Sequence, residues 1–222
     1  MKQQEKHKIA ITDNNPIVVE GFISLFKNST NNEVVGIAHD GDDLRSLLAK
    51  TRIDILFLDL KLPATNIYRL IKDLVVDFPH VKIIAFCNYT MPKLVQDVME
   101  FGAHAYLSKT ASLSEILNTI ERVHKEERFI STSVYQKNQK PKPGENDFSI
   151  ELADDFVRFS ELTEREMDIV ILLSRGYTNK EMAEKLFISK YTIETHRKNV
   201  MKKLKLKTSG QLVYFAVQQG LV

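Results

Sequence analysis

Five times between Lys8 and His124 a short apolar run gives way, after a turn, to a stretch of helical spacing, and this alternation leaves few folds open. Lys8–Thr12 (KIAIT) ends in Asp13, Asn14, Asn15 and Pro16, which stop a strand and start a helix with proline near its first turn. Val19, Phe22, Ile23 and Phe26 then recur at helical spacing up to about Lys27. Glu33–Ala38 (EVVGIA) reads as a second strand and Asp42–Lys50 as a helix. Ile55–Leu58 (ILFL) is apolar throughout, as a strand buried on both faces must be, and stops at Asp59. A helix follows Pro63; strands at Lys82–Phe86 (KIIAF) and Ala105–Leu107 (AYL) then alternate with helices from Pro92 to about Phe101 and from Ser112 to His124. Five βα units in succession predict an α/β fold, a doubly wound five-stranded parallel sheet.

At 222 residues the chain has room for two modest domains, and its charge divides accordingly. From Ser160 onward there are 11 Lys+Arg against 7 Asp+Glu; residues 1–159 carry 20 against 22. An acidic half suits regulation or cation binding, and a basic half suits an anionic partner. No apolar run approaches the roughly 18 residues needed to span a bilayer. The N-terminal MKQQEKHK followed by IAI lacks the apolar core of a secretory signal, so a cytoplasmic location is expected. One cysteine, Cys87, excludes an internal disulfide framework.

In doubly wound sheets ligands bind beyond the carboxyl ends of the strands, near the switch in strand order. The residues expected there are Asp13 and Asn14 after the first strand, Asp59 after the third, Cys87 after the fourth and Lys109 past the fifth. Two carboxylates, an amide oxygen and a lysine make a hard-oxygen set that suits Mg²⁺. With DLKLP (Asp59–Pro63) and GAHAYLSK (Gly102–Lys109), residues 8–125 resemble the flavodoxin-like receiver domain of bacterial two-component response regulators. The resemblance implies Asp59 as phosphoacceptor and Asp13, Asn14, Asp59 and the backbone carbonyl of Lys61 as metal ligands. It also implies Cys87, Tyr106 and Lys109 as phosphate-binding and switch residues.

Three positions depart from the family pattern. Asn14 stands for the second acid, Cys87 for a hydroxyl, and Ile67 for a glycine after Pro63. Losing one charge at about 4 Å removes some 4 kcal/mol of attraction at an effective dielectric near 20, much of it offset by desolvation no longer required. Weaker Mg²⁺ binding, by about one or two orders of magnitude, is the expectation. A thiol is a poor donor to a phosphoryl oxygen, and Cys87 reads as a small buried residue rather than a redox sensor. His39, His80 and His104 show no metal-ligand spacing.

Ser131–Asp147 (STSVYQKNQKPKPGEND) is polar and holds Pro141, Pro143 and Gly144, as a linker does. The expected division is a receiver domain at 1–130, a linker at 131–159 and a helical domain at 160–222. Thr163 with Glu166 makes a capping box, and Gly176 ends that helix. A second helix starts near Thr178 or Asn179, Ile188 and Ser189 form a turn, a third runs from about Lys190 to Lys205, and Gln211–Gln219 forms a fourth. On the third, Ile193, Val200 and Leu204 share one face, while Glu194, Thr195, Lys198, Lys202 and Lys205 fall opposite.

LTEREMDIV, GYTNKEMAEKL and ISKYTIETHRKNVMKKLKL resemble the LuxR-type helix-turn-helix of NarL/FixJ response regulators, with Glu164 where proline and Lys205 where glycine are common. The resemblance implies a cytoplasmic transcriptional regulator, not an enzyme, that binds double-stranded DNA as a homodimer and answers to a sensor histidine kinase. Glu194, Thr195 and Lys198 would lie near base edges, and Lys180, Thr192, Arg197, Lys202 and Lys203 near phosphates. Three alternatives stand beside it. One is the same architecture controlled by a partner, a ligand or expression level; another is a doubly wound enzyme or flavin carrier, disfavoured because DNNP is not a Ser/Thr/Gly-rich phosphate loop; the third is a C-terminal domain that binds protein only.

Overall fold

The computed structural model of the chain describes residues 6–62, 65–89, 91–132, 134, 158 and 162–218. It divides into two compact units, Met1–Glu145 and Asn146–Val222. The expected linker falls almost wholly outside the described residues, as do Pro63 and Gln219.

In the first unit the strands are β1 (His7–Thr12), β2 (Asn32–Ala38), β3 (Ile55–Leu58), β4 (Lys82–Cys87), β5 (Ala105–Ser108) and β6 (Phe129–Ile130). Helices α1 (Pro16–Phe26), α2 (Gly41–Lys50), α3 (Ile67–Asp77), α4 (Pro92–Glu100) and α5 (Leu113–His124) fill the crossovers. Each expected element is present within a few residues of its expected ends. The sheet order is β2-β1-β3-β4-β5-β6, all pairs parallel. The sheet thus has six strands among the described residues, where five were expected. The added strand pairs Phe129 with Ala105 and Ile130 with Tyr106, and two residues are too few to show a period of their own.

Alternation along the strands divides the core. Ile9, Ile11, Ile55, Phe57, Ile84, Phe86, Ala105 and Leu107 pack with Phe22 and Phe26 of α1 and Ile116, Ile120 and Val123 of α5. Phe22 lies edge-on to Phe57 at 4.7 Å between ring centroids, and Phe57 edge-on to Phe86 at 5.7 Å, the arrangement that aromatic quadrupoles favour. The intervening residues Ala10, Leu56, Leu58, Ile83, Ala85 and Tyr106 are equally buried, and the period of two sends them to the opposite face. The strands therefore read as unbroken apolar runs.

The second unit is helical: α6 (Glu164–Ser174), α7 (Asn179–Leu186), α8 (Lys190–Lys203) and α9 (Ser209–Gln218). Thr163 and Glu166 form the expected capping box, and Thr178 with Glu181 forms a second one at the start of α7. Gly176 takes φ +85° after α6. The core joins Met167, Ile169 and Val170 of α6, Met182 of α7, Ile193 and Val200 of α8, Leu204, and Leu212, Phe215 and Ala216 of α9.

Candidate functional site

The switch in strand order lies between β1 and β3, and the residues that leave those strands at their carboxyl ends are Asp13 and Asp59. Both are buried, at 1% and 6% exposure. Lys109, just past β5, reaches both: its Nζ is 2.6 Å from Asp13 Oδ2 and 2.8 Å from Asp59 Oδ2. Burial alone would lower the pKa of the Lys109 ammonium; the two carboxylates outweigh it and raise it, so the lysine stays charged. Burial pushes the Asp59 carboxyl up, while Lys109 and the Lys61 N–H draw it back without reversing the shift.

The remaining oxygens are fixed by backbone groups. Asn15 N–H donates to Asp13 Oδ1 at 2.8 Å, and Lys61 N–H donates to Asp59 Oδ1 at 3.1 Å. Asp59 N–H in turn donates to the hydroxyl of Thr12 at 3.0 Å. Asp13 Oδ2 has the Lys109 ammonium close by but no N–H or O–H aligned on it as a hydrogen bond. A buried carboxylate oxygen held this way favours a cation. Asn14 is exposed at the mouth of the same turn, beside Asn15, which caps α1. Among the described residues no three His, Cys, Asp or Glu side chains converge, so any bound cation would draw further oxygens from Asn14, carbonyls and water.

Cys87 and Tyr106 sit on neighbouring strands beneath this pocket. Cys87 is buried at the end of β4, where its carbonyl accepts from Lys109 N–H at 3.3 Å and its Sγ accepts from Tyr89 N–H at 3.4 Å. Burial, reinforced by the charge of Asp59, pushes its thiol up to about 12, so it is not a thiolate at neutral pH. Tyr106 is fully buried and donates its phenol to the Tyr89 carbonyl at 2.6 Å. Thr12 and Tyr89 escaped notice in the sequence, and His39, set aside there for lacking metal-ligand spacing, donates through Nδ1–H to the Asp13 carbonyl at 3.1 Å. Thr12 directly precedes Asp13 at the end of its strand, which was a usable signal; the others arrive through tertiary contact.

In the second unit, α8 turns Ile193 and Val200 into the core, with Leu204 following as its C-cap. Glu194, Thr195, Lys198 and Lys202 are exposed on it, as is Lys180 on α7; Thr192 is half-buried. Arg197 and Lys203 are engaged within the unit. Arg197 donates to Asn179 Oδ1 and, at 2.8 Å, to Ser209 Oγ, joining α8 to the first residues of α7 and α9. Lys203 Nζ lies 2.7 Å from Glu166 Oε2, the same oxygen that closes the α6 capping box. An open depression of about 430 Å³ beside α8 is lined by Asn179, Glu194, Arg197, Lys198, Met201, Leu206 and Lys207.

Comparison with known proteins agrees with both halves. The response regulator receiver domain profile matches residues 9–121, and that of the bacterial regulatory proteins of the luxR family matches residues 160–216. The chain is 30% identical over 218 residues to the oxygen regulatory protein NreC of Staphylococcus aureus, covering 97% of this chain and 99% of NreC. It is 28% identical over 221 residues to the transcriptional regulatory protein YxjL of Bacillus subtilis, covering 99% of each. Among solved structures it is similar in fold to RcsB of Salmonella enterica serovar Typhimurium bound to a promoter with phosphomimetic BeF₃⁻. That match has 23% identity and a TM-score of 0.56, covering 96% of this chain and 100% of RcsB.

Proposed function

Because this chain belongs to the response regulators that join a receiver domain to a luxR-family regulatory domain, a family of transcriptional regulators rather than enzymes, we propose that it binds DNA sequence-specifically under control of Asp59 phosphorylation. The observation that carries this reading is the convergence of Asp13, Asp59 and Lys109, with Lys109 Nζ within 2.6 and 2.8 Å of the two carboxylates at the β1/β3 switch. The domain boundaries are 1–130 for the receiver, 131–159 for the linker and 160–222 for the DNA-binding domain. The location is the cytoplasm, the donor a sensor histidine kinase, and the DNA-bound form a homodimer, as in RcsB solved as dimers on DNA.

Asp59 supplies the attacking carboxylate oxygen. A phosphorus–oxygen bond forms as the bond to the donor breaks, and the donor's leaving group takes the electron pair. Asp13, Asn14, Asp59 and the Lys61 carbonyl would hold Mg²⁺, which offsets charge on the phosphoryl group during transfer. Lys109 is placed to leave the two carboxylates and follow the new phosphoryl oxygens. Cys87 lines the phosphate side of the pocket, and Tyr106 below it responds through Tyr89. In the second domain Glu194, Thr195 and Lys198 face base edges. Lys180, Thr192 and Lys202 face phosphates, joined by Arg197 and Lys203, which also hold α8 in place.

The test is intact mass after incubation with Mg²⁺ and acetyl phosphate, paired with duplex binding across a salt series. The expected outcome is a gain of one phosphoryl group that Asp59→Ala abolishes, and an affinity that falls as salt rises. Asn14 and Cys87 favour one second reading, the same regulator controlled without phosphate. An unchanged mass, with no response to beryllofluoride, would select it.

A further inference from the structure

The exposed face of α8 begins one turn earlier than the residues so far assigned to base reading. Tyr191, Glu194, Thr195 and Lys198 stand at positions i, i+3, i+4 and i+7 and therefore form one stripe along the helix. All four are exposed, Tyr191 at 78%. The Thr195 hydroxyl donates to the Tyr191 carbonyl at 3.0 Å and keeps its lone pairs to accept, so Glu194, Thr195 and Lys198 are the polar members of the stripe and Tyr191 is its aromatic one.

Immediately before α8, Phe187 ends α7 at φ 54°, ψ 43°, and is 95% exposed. A phenylalanine in the left-handed region, with nearly all of its ring in water, is unfavourable on both counts. Neither the α7 cap nor the core explains the ring. The cap uses backbone bonds from Phe187 and Ile188 to the Ala183 and Glu184 carbonyls, and Ile188 supplies the apolar contact with the core. Exposed Lys185, Lys190 and Lys198 surround the two aromatics in sequence, so the surface combines large apolar rings with positive charge. That pairing complements a polyanion carrying apolar groups.

Resting on the DNA-binding reading above, we propose that Tyr191, with Phe187 of the turn that precedes the helix, extends the sequence-reading face by apolar contact with thymine methyl groups in the major groove. The thymine C5-methyl is the apolar feature a protein meets on a major-groove base edge, and aromatic and methyl-bearing side chains are the groups that contact it. The first turn of the second helix in this motif is also the part that enters the groove. Glu194, Thr195 and Lys198 then distinguish base pairs by hydrogen bonding, and the aromatic pair adds a preference for thymine at the adjoining step.

The test uses the full chain with Mg²⁺ and acetyl phosphate, and the duplex that the wild-type chain recovers from a random-sequence pool. Each thymine is replaced in turn by deoxyuridine, which removes only the methyl. At one or two positions the wild type is expected to lose about fourfold in affinity, the equivalent of one methyl group leaving an apolar contact. Tyr191→Ser/Phe187→Asn is expected to bind the thymine duplex more weakly by a similar factor, to treat thymine and deoxyuridine alike, and to keep the wild-type salt slope. Phe187→Asn alone suits the left-handed position and should raise the melting temperature, so a weaker response to thymine in that variant cannot come from unfolding. A wild type indifferent to every deoxyuridine, or a double variant that still discriminates, overturns the proposal. So does a substitution that alters self-association in sedimentation while leaving discrimination intact, since the rings would then meet a second copy. Failure of the wild type to recover any duplex in a salt-dependent manner instead overturns the DNA-binding reading beneath it.

Discussion

Single residues in the second unit carry conflicts that the rest of the unit tolerates. Lys205 follows α8 at φ 55°, a conformation in which a side chain crowds the backbone, so its departure from a common glycine has a measurable consequence. Lys205→Gly should stabilise this unit by about 0.5–1 kcal/mol after the extra chain entropy of glycine is counted, seen as a higher melting temperature. Glu166 shows the opposite, a charge held by its surroundings. Burial would raise its pKa, but Lys203 and the Thr163 N–H and hydroxyl outweigh that and lower it. A carboxyl whose folded pKa is depressed stabilises the fold above its unfolded value and loses that contribution as pH falls through the folded one. Urea unfolding should therefore show stability falling as pH drops below the ordinary glutamate range. Lys203→Met, which leaves a buried carboxylate unpaired, should cost about 1–3 kcal/mol at pH 7 and flatten that dependence. The sequence placed Lys203 on the basic helix but could not reveal Glu166 as its partner, because they are 37 positions apart.

At the scale of elements, α8 has a face that holds, a face that faces outward, and cations that serve both. Ile193 and Val200 reach the core through helical spacing alone, which is why they were legible beforehand. Arg197 was not legible in the same way: its hydrogen bonds to Asn179 and Ser209 tie the starts of α7 and α9 to the middle of α8. Arg197→Ala should lower both stability and duplex affinity, whereas Lys198→Ala should lower affinity and leave stability within about 0.5 kcal/mol of wild type. Equal thermal losses in both would contradict this division. Boundaries followed the same logic. The expected end of α8 at Lys205 falls back to Lys203 because Leu204 caps the helix and Lys205 turns left-handed. Strand β6 went unread because Phe129 and Ile130 join the sheet only through pairing with β5.

For the whole molecule, two cores imply two stabilities. The sheet core and the helical core are separate clusters in separate compact units. Leu204→Ala opens a cavity in the helical one and should cost about 2–5 kcal/mol, a large share of what so small a unit has. Calorimetry should show one transition move down and the other stay. The order and type of every element but β6, the doubly wound topology and the candidate residues at the strand ends were written in the sequence itself. Those features follow from local periodicity and from the rule that places ligands at strand carboxyl ends. Tertiary structure alone decided how Lys109 divides itself between Asp13 and Asp59, how Tyr106 reaches Tyr89, and which cations of α8 are engaged within the fold. It also singled out Phe187 and Tyr191, since an aromatic in the sequence reads as core until packing leaves it in water. The physical reason is the same throughout: period and propensity act between neighbours along the chain, whereas charge pairing and burial depend on groups that only folding brings together.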